Sequence, residues 1–153
     1  MDEVNLKNSN IEGLIIQPLK QIIDERGSVM HMLRSDSPVF KQFGEIYFST
    51  IKHGVIKAWK KHKYMTQNIA VPVGKIKVVI FDDRVGSRTY GNLLEIRTGT
   101  IKYSLIIIPP KVWYGFEGLS SFDSLIANCT TLPFDEKEVE RVESVVSFIP
   151  YIW

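Results

Sequence analysis

The sequence predicts an all-β domain, a sandwich or barrel, from three observations. Short runs rich in Val, Ile, Tyr and Phe recur along the chain at roughly 8–12-residue spacing, each closed by a breaker. They do not alternate with helical segments, as the strands of a parallel sheet would. The chain has 153 residues, 44% of them hydrophobic and 24% charged, enough to bury a core in one domain over 1–153, with 1–10 as a flexible N-terminus.

The elements follow in order. Residues 13–17 form the first run, and Asp24-Glu25-Arg26-Gly27 breaks the chain before 28–33. Runs 45–51 and 55–60 flank His53-Gly54, and 68–73 and 75–81 meet at Val73-Gly74. Asp82-Asp83-Arg84 and Gly86-Ser87 close that pair, after which 93–97 runs toward Gly99. Residues 103–108 stop at Pro109-Pro110, which cannot donate to a ladder. Runs 112–116 and 124–130 complete the set. The one helical hint is 135–146, where Asp135-Glu136 supply an acidic start and Val139, Val142, Val145 and Val146 can share a face. A single turn and a full helix both fit it.

Composition excludes several classes of function. Lys+Arg 19 against Asp+Glu 17 leaves a net charge of +2, so no nucleic-acid partner is expected. The longest apolar runs, such as 78–81 and 105–108, are far too short to span a bilayer, and no membrane partner is expected. The N-terminus is polar and acidic where a signal peptide would be basic and then apolar. Cys129, the single cysteine, cannot form an internal disulfide or hold zinc by itself. A reducing compartment fits it, and a cytoplasmic location is expected.

The densest positive run is 53–63. Lysines in such a run commonly protect a strand edge, but this run contains Trp59 and ends in Lys60-Lys61-His62. Strict alternation puts Ile56, Ala58, Lys60 and His62 on one face, with Lys57, Trp59, Lys61 and Lys63 on the other. Lys60 and His62 would then stand together at the mouth of a barrel.

Gly54, five residues, Lys60-Lys61-His62, four residues, Gln67, six residues and Gly74 resemble the first cupin motif, Gly-x5-His-x-His-x3,4-Glu-x6-Gly. Pro109-Pro110-Lys111-Val112-Trp113-Tyr114 resembles the second, with Tyr114 in place of its His. The resemblance implies a cupin, a double-stranded β-helix jelly roll. Of its four ligand positions only His62 keeps a conventional ligand, while Lys60, Gln67 and Tyr114 occupy the others. No metal and no cofactor are expected.

A narrower resemblance covers most of the chain. Asp24-Glu25-Arg26-Gly27, Gly54-Val55-Ile56-Lys57-Ala58-Trp59-Lys60 and Ile108-Pro109-Pro110 through Gly115-Phe116 are similar to stretches of the dTDP-4-dehydrorhamnose 3,5-epimerases. Trp59-Lys60-Lys61-His62-Lys63-Tyr64-Met65-Thr66-Gln67-Asn68, Ala127-Asn128-Cys129-Thr130-Thr131 and Ile149-Pro150-Tyr151-Ile152-Trp153 look like that family's shorter members. The match runs from Ile11 to the last residue. It implies a homodimer that exchanges N-terminal strands, with 11–33 as the exchanged element and Arg26 reaching the partner's nucleotide-sugar. It also implies substrate-binding roles for Lys57, where the family has a sugar-phosphate Arg, and for Trp59, Gln67 and Asn128. Lys60 stands where the full-length epimerases carry their His base, and Ala127 near their catalytic Tyr.

The activity implied is that of a metal-free isomerase or epimerase acting on a nucleotide-activated 4-keto-6-deoxy sugar in surface polysaccharide biosynthesis. A sugar-nucleotide 3,4-ketoisomerase and a non-catalytic sugar-nucleotide or glycan-binding protein are the alternatives. Proton removal beside a ketone needs a base with a near-neutral pKa and a group that holds the enolate charge. Histidine has such a pKa ordinarily, which makes His62 a candidate. Lys60, crowded by Lys57, Lys61 and Lys63, either holds the enolate as a cation or serves as a base of lowered pKa. Tyr114 is a candidate acid on the opposite side, and Tyr47 a second. Bland readings remain beside these: Tyr114 as core, Arg26 paired with Asp24 or Glu25, and His31 as a strand histidine alternating with Val29 and Leu33.

Overall fold

The structure is a computed structural model that describes residues 10–153, so the N-terminus expected to be flexible lies, up to residue 9, outside the described residues. In chain order the strands are β1 (Ile15–Pro18), β2 (Gln21–Asp24), β3 (Gly27–Met30), β4 (Glu45–Ile51), β5 (Ile56–His62), β6 (Gln67–Val73), β7 (Lys75–Phe81), β8 (Leu93–Gly99), β9 (Ser104–Ile108), β10 (Trp113–Gly118), β11 (Ser124–Thr130) and β12 (Val139–Arg141). A 3-10 turn, Glu136–Glu138, precedes β12. The strands form two antiparallel five-stranded sheets, β1-β9-β6-β11-β4 and β12-β5-β10-β7-β8, with β2-β3 as a separate hairpin. This is the expected all-β jelly roll.

Alternation within each strand decides what the sheets bury. Ile69, Val71, Ile106, Ile108 and Ile126 of the first sheet face Val78, Ile80, Leu94 and Ile96 of the second in one core. Each fully buried side chain of this kind contributes about 1.5–3 kcal/mol. The second sheet is apolar on its outer face too, where Trp59, Val79, Phe81, Trp113 and Ile149 form another cluster. Residues 142–153 cross that face, with Val142, Val146, Tyr151 and Trp153 packed on it. Gly115 makes room for them, since a Cβ there would lie 2.8 Å from the Trp153 ring.

Two elements differ from the sequence reading, and a third resolves to one of its alternatives. Residues 21–24 pair with 27–30 as a hairpin, whereas the pattern had suggested a strand only at 28–33. Gly27, with φ +144°, takes the turn where a side chain would be strained. Of the two readings of the Val-rich stretch 135–146, the single turn is the one found: after one turn capped by Asp135, residues 139–141 pair with β5. Its valines disperse, Val142 and Val146 to the outer cluster and Val145 to solvent.

The alternation expected for 56–63 also fails. On β10, Tyr114 pairs with Lys60 but Gly115 pairs with Ala58, which leaves Trp59 as the extra residue of a β-bulge. Paired residues point to the same side, so Lys57, Lys60 and His62 share the inner face. Ala58 and Trp59 both turn outward.

Candidate active site

His62 ends β5 on the inner face and is only 5% exposed. Its Nδ1 bonds the carboxylate of Glu138, and its Nε2 lies 3.0 Å from the Tyr114 hydroxyl. A carboxylate only accepts, so Nδ1 carries the proton and Nε2 is free to accept from Tyr114. The two rings stack, 5.8 Å apart and 10° from parallel. The second Glu138 oxygen accepts the backbone N–H groups of Lys63, Tyr64 and Met65, at 3.1, 3.1 and 3.3 Å. Burial works to raise the Glu138 pKa. The bonds from His62 and from the Tyr64 and Met65 amides outweigh it and hold the carboxyl below its ordinary value. Burial pushes the Tyr114 phenol well up, so it keeps its proton.

Opposite this chain, three side chains of the first sheet are tied together. Asn128 donates to Gln67 Oε1 at 2.9 Å and to the Tyr47 hydroxyl at 3.1 Å. Asn128 Oδ1 is buried and has no partner among the described residues, which leaves an acceptor for a ligand hydroxyl. Desolvation also raises the Tyr47 pKa.

The lip is cationic. Lys57 Nζ reaches across to the Thr50 carbonyl at 2.6 Å. Arg141 of β12 stands directly opposite Lys60 and is bound to Glu136. Lys57, Lys60 and Arg141 line a cleft of about 750 Å³ together with Glu143 and the outer-cluster residues Ala58, Trp59, Val142 and Val146. Burial, then the charges of Arg141 and Lys57, lower the Lys60 pKa. Tyr114 is the buried cross-strand neighbour of Lys60. His62 borders a smaller cleft of about 300 Å³ with Lys61, Lys63, Lys111 and Asp83.

The structure thus places His62, Tyr114, Gln67, Asn128 and Tyr47 in the interior, with Lys57 and Lys60 exposed at its lip. It does not bring in two other candidates. Trp59 borders the Lys60 cleft only from the outer cluster, where it is buried and donates its indole N–H to the Ser144 carbonyl at 3.1 Å, which gives it a packing role. Arg26 lies on the β2-β3 turn, its side chain 83% exposed and paired with Asp24 at 2.7 Å. Glu138 and Arg141 were missed, because both lie in the stretch whose valines mimic a helix and only pairing with β5 brings them to the site. Among the described residues no group of three His, Cys, Asp or Glu side chains is placed to hold a metal, and both His62 nitrogens are already engaged.

The family model described as dTDP-4-dehydrorhamnose 3,5-epimerase matches residues 8–145. A crystal structure described as a dTDP sugar isomerase from Desulfovibrio desulfuricans G20 is 49% identical, covers 94% of this chain and 92% of its own, and superposes with a TM-score of 0.91. The "Probable low-salt glycan biosynthesis epimerase Agl13" of Haloferax volcanii is 32% identical over 134 residues, 86% of each chain. The spore coat polysaccharide biosynthesis protein SpsL of Bacillus subtilis is 28% identical over 143 residues, 90% of this chain and 95% of its own.

Proposed function

The chain belongs to the dTDP-4-dehydrorhamnose 3,5-epimerase family, and from that membership we propose that it moves a proton beside the ketone of a nucleotide-activated 4-keto-6-deoxy sugar. The Glu138–His62–Tyr114 chain, ending beside Lys60, carries this reading. Tyr114 is the proton carrier at the substrate side. His62 is the base behind it, and Glu138 holds the imidazole in the tautomer that accepts. Lys60 holds the charge that develops on the ketone oxygen. Tyr47, whose hydroxyl accepts from Asn128 and so keeps its own proton to give, is the acid on the opposite wall.

Lys57 and Arg141 supply cations for the diphosphate at the lip, and Gln67 and Asn128 meet the sugar hydroxyls. The names of the relatives support a place in surface polysaccharide biosynthesis. The exposed β2-β3 hairpin supports a homodimer in which Arg26 reaches the partner's site. A cytoplasmic location fits the unpaired, buried Cys129.

The test is incubation with dTDP-4-keto-6-deoxyglucose in heavy water. Deuterium at a carbon adjacent to the ketone is expected, and the recovered product identifies epimerisation or ketone migration. Binding without any exchange overturns the reading in favour of a non-catalytic nucleotide-sugar binder.

A further inference from the structure

A hydrogen-bonded chain crosses the interior, and the carboxylate at its end fixes the direction of every bond. Glu138 can only accept, so His62 carries its proton on Nδ1 and its Nε2 accepts from the Tyr114 hydroxyl. With that proton committed, the Tyr114 oxygen has only lone pairs to offer, and the Gln67 side chain acts on it as a hydrogen-bond donor. Gln67 thus turns its Nε2 toward Tyr114 and its Oε1 the other way, where Oε1 accepts from Asn128 Nδ2 at 2.9 Å. The second Asn128 N–H goes to the Tyr47 hydroxyl oxygen at 3.1 Å.

Asn128 stands at the head of this chain. It gives both hydrogens and receives none. Its Oδ1 is buried without a partner among the described residues, in a side chain belonging to a residue only 4% exposed. Turning the amide over would not help, because it would set Oδ1 against Gln67 Oε1, two acceptors. An unpaired buried acceptor is costly, and a donor brought by a ligand recovers that cost.

We propose that Asn128 is a specificity-determining residue, whose Oδ1 accepts a hydrogen bond from the substituent of the sugar carbon beside the ketone. The inference rests on the 4-keto-6-deoxy sugar proposed above. Of the two carbons that flank a 4-ketone, C5 carries the methyl group and the ring oxygen, so C3 alone bears a donor. Tyr47, the acid on the same wall, is bonded to the same amide, which sets that donor next to the reacting carbon. A free hydroxyl or an amine at C3 is therefore accepted, and a deoxygenated or O-alkylated C3 is refused.

The experiment compares dTDP-4-keto-6-deoxyglucose with its 3-deoxy and 2-deoxy analogues, by calorimetric dissociation constants and by deuterium exchange beside the ketone. The parent protein should bind the 3-deoxy sugar about 10–10²-fold more weakly than the 3-hydroxy sugar, the usual cost of a buried acceptor left unpaired. The 2-deoxy sugar should lose less. Asn128→Ala should bring the ratio between 3-hydroxy and 3-deoxy sugars close to one, whereas a merely structural role would weaken both alike. Asn128→Asp keeps the shape and the acceptor but cannot donate to Tyr47 or Gln67. It should keep the ratio while exchange slows, and it decides the question if Asn128→Ala melts too early to titrate. Equal binding of both sugars by the parent, a parental ratio in Asn128→Ala, or a ratio lost in Asn128→Asp each overturns the inference and leaves the proton-transfer reading standing. Binding without exchange from any sugar overturns that reading instead, and the ratio still tests Asn128. Absence of binding overturns both.

Discussion

His62 is held from both sides, by Glu138 at Nδ1 and Tyr114 at Nε2, so its two neighbours set its tautomer and orientation. His62→Asn keeps a polar side chain but removes the titratable nitrogen. Deuterium exchange should fall by about 10²–10⁴-fold, the usual contribution of a general base. Glu138 acts through His62 and is a positioning residue. Glu138→Gln keeps the side chain's shape but removes the carboxylate that fixes the imidazole tautomer. The exchange rate at saturating substrate should fall with little change in KM, and Glu138→Asp should recover part of it. A variant that melts earlier but exchanges at the parental rate would assign Glu138 a structural role only.

At the scale of elements, the loop after β7 is organised by a buried carboxylate. Asp82 accepts from Arg84 at 2.9 Å, Ser87 at 2.7 Å and Thr89 at 2.6 Å. Burial opposes ionisation, but these donors outweigh it and hold the Asp82 pKa well below the ordinary 3.8. The folded state thus binds its proton less readily than the unfolded chain. The stabilisation is complete above the ordinary value and drains away as the pH falls through it toward the folded value. Asp82→Asn should cost about 1–3 kcal/mol at neutral pH, as expected for weakened buried hydrogen bonds. Its melting temperature should also decline less steeply than the parent's as acid is added below about pH 4.

The outer cluster gives a second element-scale prediction. A Cβ at Gly115 would lie 2.5 Å from the Ala58 Cβ as well as against the Trp153 ring. Gly115→Ala should therefore lower stability by about 1–3 kcal/mol, read by thermal unfolding, as overpacking does.

For the whole molecule, the hairpin decides the expected assembly. Strands β2 and β3 pair only with each other, and Ile23 is 71% and Val29 59% exposed, an unusual state for branched apolar residues. A second copy that covers them would also bring Arg26 to a site its own chain does not offer. Light scattering at micromolar concentration should give twice 17.6 kDa, and Ile23→Glu should shift the protein toward monomer. A monomeric parent would refute this assembly.

Much of this protein is decided by local pattern. The runs read at 45–51, 75–81 and 124–130 coincide with β4, β7 and β11, because alternation and bracketing breakers act within a few residues. The spacing from Gly54 to Gly74 likewise marks His62 and Gln67, since strand periodicity carries both to the interior. What the sequence alone did not show arises where the chain meets itself. The bulge at Trp59 exists only in the register of β5 against β10, and it moves Lys57 to the inner face beside Lys60. Glu138 and Arg141 join the site because β5 has a free edge that residues 139–141 complete, although their own valine pattern mimics a helix. Periodicity is a property of one segment, whereas a shifted register and a completed edge depend on hydrogen bonds between distant segments, and these fixed the partners of His62 and the cross-strand neighbours of Lys60.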